Sequence, residues 1–240
     1  MFLCGFNLQT MAIIYLIRHG QAQFGMEEYD ALSPTGIEQA KILGASFVER
    51  KIIPTKIISG AMQRHQQTMD YCLEKMQLTT IEKITNADWN EFDHRNILAK
   101  YEPRYANLDE LKKDIFLDSN PKEKITEVLK GSVIRWTSGQ YNDYNESWSA
   151  FCMRVKNGLQ KIENESAKED VVFVFTSGGS ISVIMQNILD LSVQKTFEMQ
   201  LNIANCSITK LKTSSRGTQL LSFSDYAHFE GEYKKWLTYK

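Results

Sequence analysis

The chain has no surplus of charge of either sign, with 28 Lys and Arg against 29 Asp and Glu. A nucleic-acid surface would show as a clear excess of basic residues, so none is expected; a site for a small anion needs only a few local cations. Paired cysteines are also missing. Cys4, Cys72, Cys152 and Cys206 are scattered, which fits neither a zinc site nor a dense disulfide framework and suits a reducing cytoplasm. Apolar runs such as Val171–Phe175 are far too short to span a bilayer, so no membrane partner is expected. Internal repeats and low-complexity segments are absent too. What remains is a chain of 240 residues, enough to bury a sizeable core in one large domain or two small ones.

The first residues, MFLCGFNLQTMAIIYLI, could pass for a secretory leader, but they carry no basic start and are interrupted by Asn7, Gln9 and Thr10. Residues 1–10 therefore read as a loose extension, with Met11 a candidate start. Ala12–Ile17 is a short apolar run ending abruptly at Arg18-His19-Gly20, as expected of a strand buried on both faces. Ser33-Pro34-Thr35 opens a helix to about Lys51. Ser33 can cap it with Pro34 at the first helical position, or Thr35 and Glu38 can form a capping box one register later. Lys56–Ser59 reads as a strand and Gln63–Met76 as a helix.

Ile84–Glu91 reads as a short strand and loop. A stretch from about residue 95 to 144 lacks strand pattern and suggests a helical insertion over the site, with helices near Asn107–Phe116 and Lys122–Val133. Ser147–Ile162 is a helix, Val171–Phe175 a strand and Ile181–Leu189 a helix. Ser207–Leu211 and Gln219–Phe223 form a hairpin turned through Ser214–Gly217. Strands alternating with helices predict a three-layer α/β/α sandwich around a mostly parallel sheet, a single domain over residues 11–240.

In such sheets ligands bind beyond the carboxyl ends of the strands. One strand ends at Arg18-His19-Gly20, another runs into Ser59 and Arg64, and a third ends at Ser177-Gly178-Gly179. Arg18 and Arg64 can hold phosphate oxygens by bidentate, charge-assisted bonds. Gly20 lets the backbone turn and approach an anion. A neutral His19 can attack phosphorus if its other ring nitrogen is held as a donor. Free N–H groups around Gly178–Ile181 would face an anion. Taken singly each feature is ordinary: Arg-His after a strand is usually surface polarity, and Ser-Gly-Gly is usually a turn.

Together they resemble the histidine phosphatase superfamily, whose members include phosphoglycerate mutases. AIIYLIRHGQ over residues 12–21 resembles its signature strand and RHG turn. Leu32-Ser33-Pro34-Thr35-Gly36 with Gln39-Ala40 resembles its "LT–G–QA" helix start, and Ser59 to Arg64 with Gln67-Thr68 its "SSPLxRAxQT" segment. Trp89-Asn90-Glu91 resembles "LxE", and Glu146-Ser147 with Phe151 and Arg154-Val155 resembles "ES–F–RV". The resemblance implies that His19 forms a phosphohistidine, that Arg18 and Arg64 clamp the phosphate and that Glu91 is the proton donor. Gln21 would support the site. It implies a small phosphorylated substrate and no metal or cofactor.

The sequence departs from the pattern where most members place a second histidine, in "VSHGG": here Ser177 occupies that position, and with Gly178 it can still hydrogen-bond a phosphate oxygen but cannot supply a cation. Ala22 and Gly25 stand where many members have Thr and Asn. Of the remaining histidines, His65 is expected to face away along its helix, His94 could reach the pocket mouth, and His228 could sit at the sheet end. Surface or structural roles are expected for these three, His94 being the main exception. A phosphomonoester hydrolase leads; a phosphoglycerate-mutase-type transferase and a phosphate-binding pseudoenzyme are the alternatives. A serine hydrolase built on Ser177, Asp225 and His228 has little support, because no G-x-S-x-G is present. Tyr101, Arg104, Tyr105 and Trp136 either line the pocket or pack the insertion. Substrate identity and oligomeric state are not legible.

Overall fold

The structure is a computed structural model, described over residues 12–23, 30–214 and 217–239. The extension at 1–10, Gly25 and the turn residues Ser215 and Arg216 lie outside the described residues. The chain divides into two compact units, one of residues 1–91 with 155–240 and one of residues 92–154.

The first unit holds the sheet. Its strands are β1 (Ala12–Arg18), β2 (Lys56–Ser59), β3 (Lys83–Thr85), β4 (Val171–Thr176), β5 (Ile208–Ser214) and β6 (Gly217–Asp225). They lie in the order β3-β2-β4-β1-β5-β6. β1, β4, β2 and β3 run parallel, and the β5–β6 hairpin adds two antiparallel strands beside β1. The β1–β4 register sets Arg18 against Thr176, so both strands leave the sheet at one edge. Apolar runs buried on both faces require covering layers, and helices supply them.

On one face lie α1 (Pro34–Glu49) and α2 (Gln63–Met76), whose Ala40, Leu43, Phe47, Met69, Cys72 and Leu73 bury against Tyr15, Ile17, Phe173 and Phe175. Phe47 and Phe173 stack with ring centroids 4.4 Å apart, and Tyr15 meets Phe173 at 5.2 Å. Each such ring contributes about 1.5–3 kcal/mol by burial. The other face, carrying Ile14, Leu16, Val172 and Val174, is covered by later helices. α7 (Gly178–Leu189) presents Ile181, Ile184 and Met185, and the portion of α6 (Trp148–Glu165) in this unit presents Val155, Leu159 and Ile162. The expected three-layer sandwich is thus observed.

Ser33 caps α1, its Oγ accepting from Gly36 N–H at 3.1 Å with Pro34 in the first turn, so the later Thr35–Glu38 box is not the cap. α7 begins at Gly178, three residues ahead of the expected Ile181, because the Gly-Gly pair is helical rather than a turn. An unexpected short helix, α8 (Val193–Gln200), follows it.

The second unit contains α3 (His94–Tyr101), α4 (Leu108–Leu117), α5 (Pro121–Thr137) and the start of α6. α3 was not anticipated, while α4 and α5 match the two expected pieces. Its core is small: Leu98, Tyr105 and Val128 cluster, and Trp136 packs with Phe92, Trp148 and Phe151. Trp136 Nε1 donates to the Glu146 carbonyl at 2.8 Å, and Arg104 pairs with Asp114. Tyr105 and Trp136 are therefore packing residues of this unit. Among the described residues no helix is long and apolar enough to cross a membrane.

Candidate active site

The Arg18-His19-Gly20-Gln21 turn is tied down residue by residue. His19 N–H donates to the Thr176 carbonyl at 2.9 Å, and the His19 carbonyl accepts from Asn205 Nδ2 at 3.1 Å. Gly20 N–H donates to Thr68 Oγ1 at 3.0 Å, and Gln21 N–H to Gln39 Oε1 at 2.8 Å. The amide of buried Gln39 in turn reaches the Trp236 carbonyl and Thr238 Oγ1, so the C-terminal segment braces the turn. Gly20 is required by a close backbone crossing: a Cβ there would lie 2.5 Å from the Gly36 carbonyl oxygen. Gln21 takes a hydrogen bond from Ser33 Oγ at 2.9 Å and so links the turn to the α1 cap.

This scaffold fixes the state of His19. Its Nδ1 lies 2.7 Å from the Gly20 carbonyl, and a carbonyl can only accept, so the proton is on Nδ1 and Nε2 carries the lone pair. Burial holds the imidazole pKa well below its usual value, with Arg64, Arg18 and His65 adding to the effect and the Gly20 bond opposing it. The ring is neutral at pH 7, with its Nε2 lone pair unprotonated.

Both arginines act electrostatically on His19. Arg18 Nη1 donates to the carbonyls of Ile203 and Tyr239, and its guanidinium passes over Gly178. Buried Arg64, at the start of α2, donates from Nη1 to Asp30 at 2.6 Å. Asp30 also accepts from Gln63 N–H at 2.7 Å. The Arg64 guanidinium is thus paired with an aspartate.

The β4–α7 turn lies next to this one. Thr176 Oγ1 donates to the Trp89 carbonyl at 2.6 Å and Ser180 Oγ to the Asn90 carbonyl at 3.0 Å, so the segment after the 3₁₀ turn Ala87–Trp89 is pinned to the start of α7. That pinning places Glu91, whose Oε2 accepts from Gly179 N–H at 3.0 Å. Asp88 instead pairs with Lys161. Ser177 is fully buried at the N-cap of α7, and its Oγ lies 2.6 Å from His65 Nε2.

His65 is where the expectation fails. It does not face away: it is completely buried, with its ring centroid 5.7 Å from that of His19. The signal was in the sequence, since position 65 falls on the same helical stripe as the buried Met69, Cys72 and Met76. His228 lies on the 3₁₀ turn Ala227–Phe229, against Phe229 and bonded to the Cys206 backbone, and burial lowers its pKa to about 4. The imidazole beside Ser177 is therefore that of His65, which leaves the Ser177–Asp225–His228 triad without its hydrogen bond. His94 is the first residue of α3 in the second unit, behind the capping Asp93. Arg18, His19, Gly20, Gln21, Arg64, Glu91, Ser177 and Gly178 all belong to the first unit, where His65 and Asp30 join them. Asp30, Thr68, Gln39 and Asn205 were not anticipated; only the "QT" and "QA" pairs hinted at Thr68 and Gln39.

Among the described residues no three His, Cys, Asp or Glu side chains gather as a metal-holding group. A cleft of about 370 Å³ opens between the β2–β3 side of the sheet and α6, lined by Lys56, Ile58, Ile84 and Ile162. Lys56 at its wall pairs with Asp170.

The fold has known counterparts. A phosphoglycerate mutase from Bacillus anthracis superimposes with a TM-score of 0.65 at 19% identity, covering 92% of this chain and 96% of that one. Bacillus stearothermophilus YhfR gives 0.65 at 15% identity, covering 91% and 100%. A mycobacterial glucosyl-3-phosphoglycerate phosphatase gives 0.59 at 16% identity, covering 90% and 98%. None of the curated protein sequences matches the chain. The family model for the histidine phosphatase superfamily (branch 1) matches residues 14–133 and 117–226, and with the sheet order and the strand-end cluster around His19 it makes this chain a member of that superfamily.

Proposed function

We propose that the chain is a phosphomonoester hydrolase in which His19 Nε2 takes up the phosphoryl group. The observation that carries this reading is the buried neutral His19, with Nδ1 committed to the Gly20 carbonyl and two arginines acting on the ring. In the first step the Nε2 lone pair bonds to phosphorus in line with the leaving oxygen. The phosphorus–oxygen bond breaks, its electron pair stays on that oxygen, and protonated Glu91 supplies the proton. Water then attacks the phosphohistidine and gives a proton to Glu91, and the bond to Nε2 breaks to restore the neutral ring. Arg18 and Arg64 compensate the charge on the phosphoryl oxygens, with Arg64 released from Asp30. The N-terminus of α7 adds a favourable field. The substrate class is a small phosphorylated molecule, and no metal takes part.

The test is phosphate release from a panel of phosphomonoesters. Wild type is expected to hydrolyse at least one, and His19→Ala to lose on the order of 10⁴-fold or more. Activity that survives His19→Ala contradicts the reading. Phosphate delivered to a second substrate rather than to water marks a mutase. Phosphate bound without any turnover marks a binding module.

A further inference from the structure

The mechanism above leaves one buried nucleophilic pair unused. Ser177 Oγ and His65 Nε2 lie 2.6 Å apart, and both residues are fully buried. Ser177 sits at a helix N-cap, yet its hydroxyl caps no N–H of α7, so it is committed to His65 instead. The neighbouring parallel strands β1 and β4 are in register at Arg18 and Thr176, which puts His19 and Ser177 at the equivalent next positions. Adjacent strands lie about 4.8 Å apart, so a group on His19 is within reach of the Ser177 hydroxyl.

The other nitrogen of the His65 ring decides the direction of the bond. Nδ1 is buried with no hydrogen-bond partner among the described residues. It lies against Gly60, where a Cβ would come within 2.2 Å of it, so only glycine admits the ring. A buried N–H without an acceptor is rarer and more costly than a bare ring nitrogen, so the proton belongs on Nε2. Burial and Arg64 both act against a second proton on the ring. Nε2–H then donates to Ser177 Oγ, and the serine hydroxyl keeps its own proton to give.

We propose that His65 is a positioning residue for phosphoryl transfer: from α2 it holds Ser177 so that the serine hydroxyl donates to an oxygen of the phosphoryl group on His19. This rests on the hydrolase reading. The imidazole acts through the serine from a helix, and the β4 turn itself needs only a small hydroxyl.

The test has a spectroscopic arm and a kinetic arm. Nitrogen-15 NMR of the wild-type imidazoles is expected to show His65 protonated at Nε2 and bare at Nδ1. The reverse tautomer would make His65 a base for a Ser177 nucleophile and would overturn the proposal. In phosphate-release kinetics, Ser177→Ala and His65→Phe are each expected to lower kcat on the order of 10²-fold with little change in KM. The double variant should be no worse than either single one, and His65→Gln, whose amide can still donate, should recover part of the loss. Losses that multiply in the double variant, or a Ser177→Ala enzyme with unchanged kcat, would overturn it. Should wild type release no phosphate from any ester, the hydrolase reading falls alone. The tautomer and the affinity for inorganic phosphate then decide the proposal: equal weakening in both single variants and the double supports it, and unchanged affinity overturns it.

Discussion

β1 and β4 are parallel neighbours that leave the sheet at the same edge, and they end in turns of different construction. The β1 turn carries its own imidazole, and side chains from Thr68, Gln39 and Asn205 hold its backbone. The β4 turn carries only a serine; its imidazole comes from α2, and its hydroxyls reach out to pin the carbonyls of Trp89 and Asn90. The first turn is held by others and presents the His19 ring, the proposed nucleophile. The second holds others, and so places Glu91. Two neighbouring strand ends thus have imidazoles beside them from different elements, His19 from the β1 turn itself and His65 from α2.

The comparison can be broken from either side, and the largest effect should come from the β4 side. Glu91→Gln keeps an acceptor for Gly179 N–H but cannot give a proton. kcat for an ester with a poor leaving group should fall by about 10²–10⁴-fold, and much less for one whose leaving oxygen needs no proton. Equal losses for both esters would remove Glu91 from the proton path.

On the β1 side, Gly36→Ala puts a Cβ 2.2 Å from the Gln21 carbonyl oxygen, which must push the turn away from α1. Displacement by about an ångström should cost about 10²-fold in turnover, and overpacking about 1–3 kcal/mol of stability by denaturant titration. A smaller change sharpens the picture of Arg64. Asp30→Asn keeps a side-chain acceptor for Gln63 N–H but removes the charge competing for the guanidinium, so inorganic phosphate should bind about fivefold tighter by calorimetry.

The smallest effect concerns the brace behind the β1 turn. Cys206 N–H donates to the Arg18 carbonyl at 3.0 Å, and His228 bonds the Cys206 backbone. The folded-state pKa of His228 lies at about 4 against an ordinary 6.5, so the unfolded chain takes up a proton first as pH falls. Its contribution to stability is complete above pH 6.5 and is lost as pH falls towards about 4, at up to about 1.4 kcal/mol per pH unit. His19 and His65 act in the same direction. His228→Phe should reduce the acid slope in urea unfolding between pH 7 and pH 4.5, and an unchanged slope would contradict this.

Much of the frame was legible because β1 and β4 are short continuous apolar runs and α1 has a Ser-Pro start. α3 and α8 were missed: they are short and mostly polar, and local pattern says little about such segments. The start of α7 was displaced because two glycines usually mark a turn, whereas here they open a helix. Of the candidate site, Arg18, His19, Arg64 and Glu91 were proposed from strand ends and motif order. His65 could not be read from its neighbour Arg64, although its stripe with Met69 and Cys72 announced burial. Asn205 and Thr238 were invisible, because a polar brace between segments far apart in sequence leaves no local pattern.

Uptake of phosphate by one nitrogen of one histidine, His19 Nε2, is the step on which the proposed hydrolysis depends. It is tested most directly by quenching the protein during turnover and locating the label by phosphorus NMR and peptide mass spectrometry. An acid-labile phosphoryl group is expected on His19 at Nε2, since Nδ1 is bonded to the Gly20 carbonyl. Label at Nδ1, on Ser177 or on His65 would contradict it.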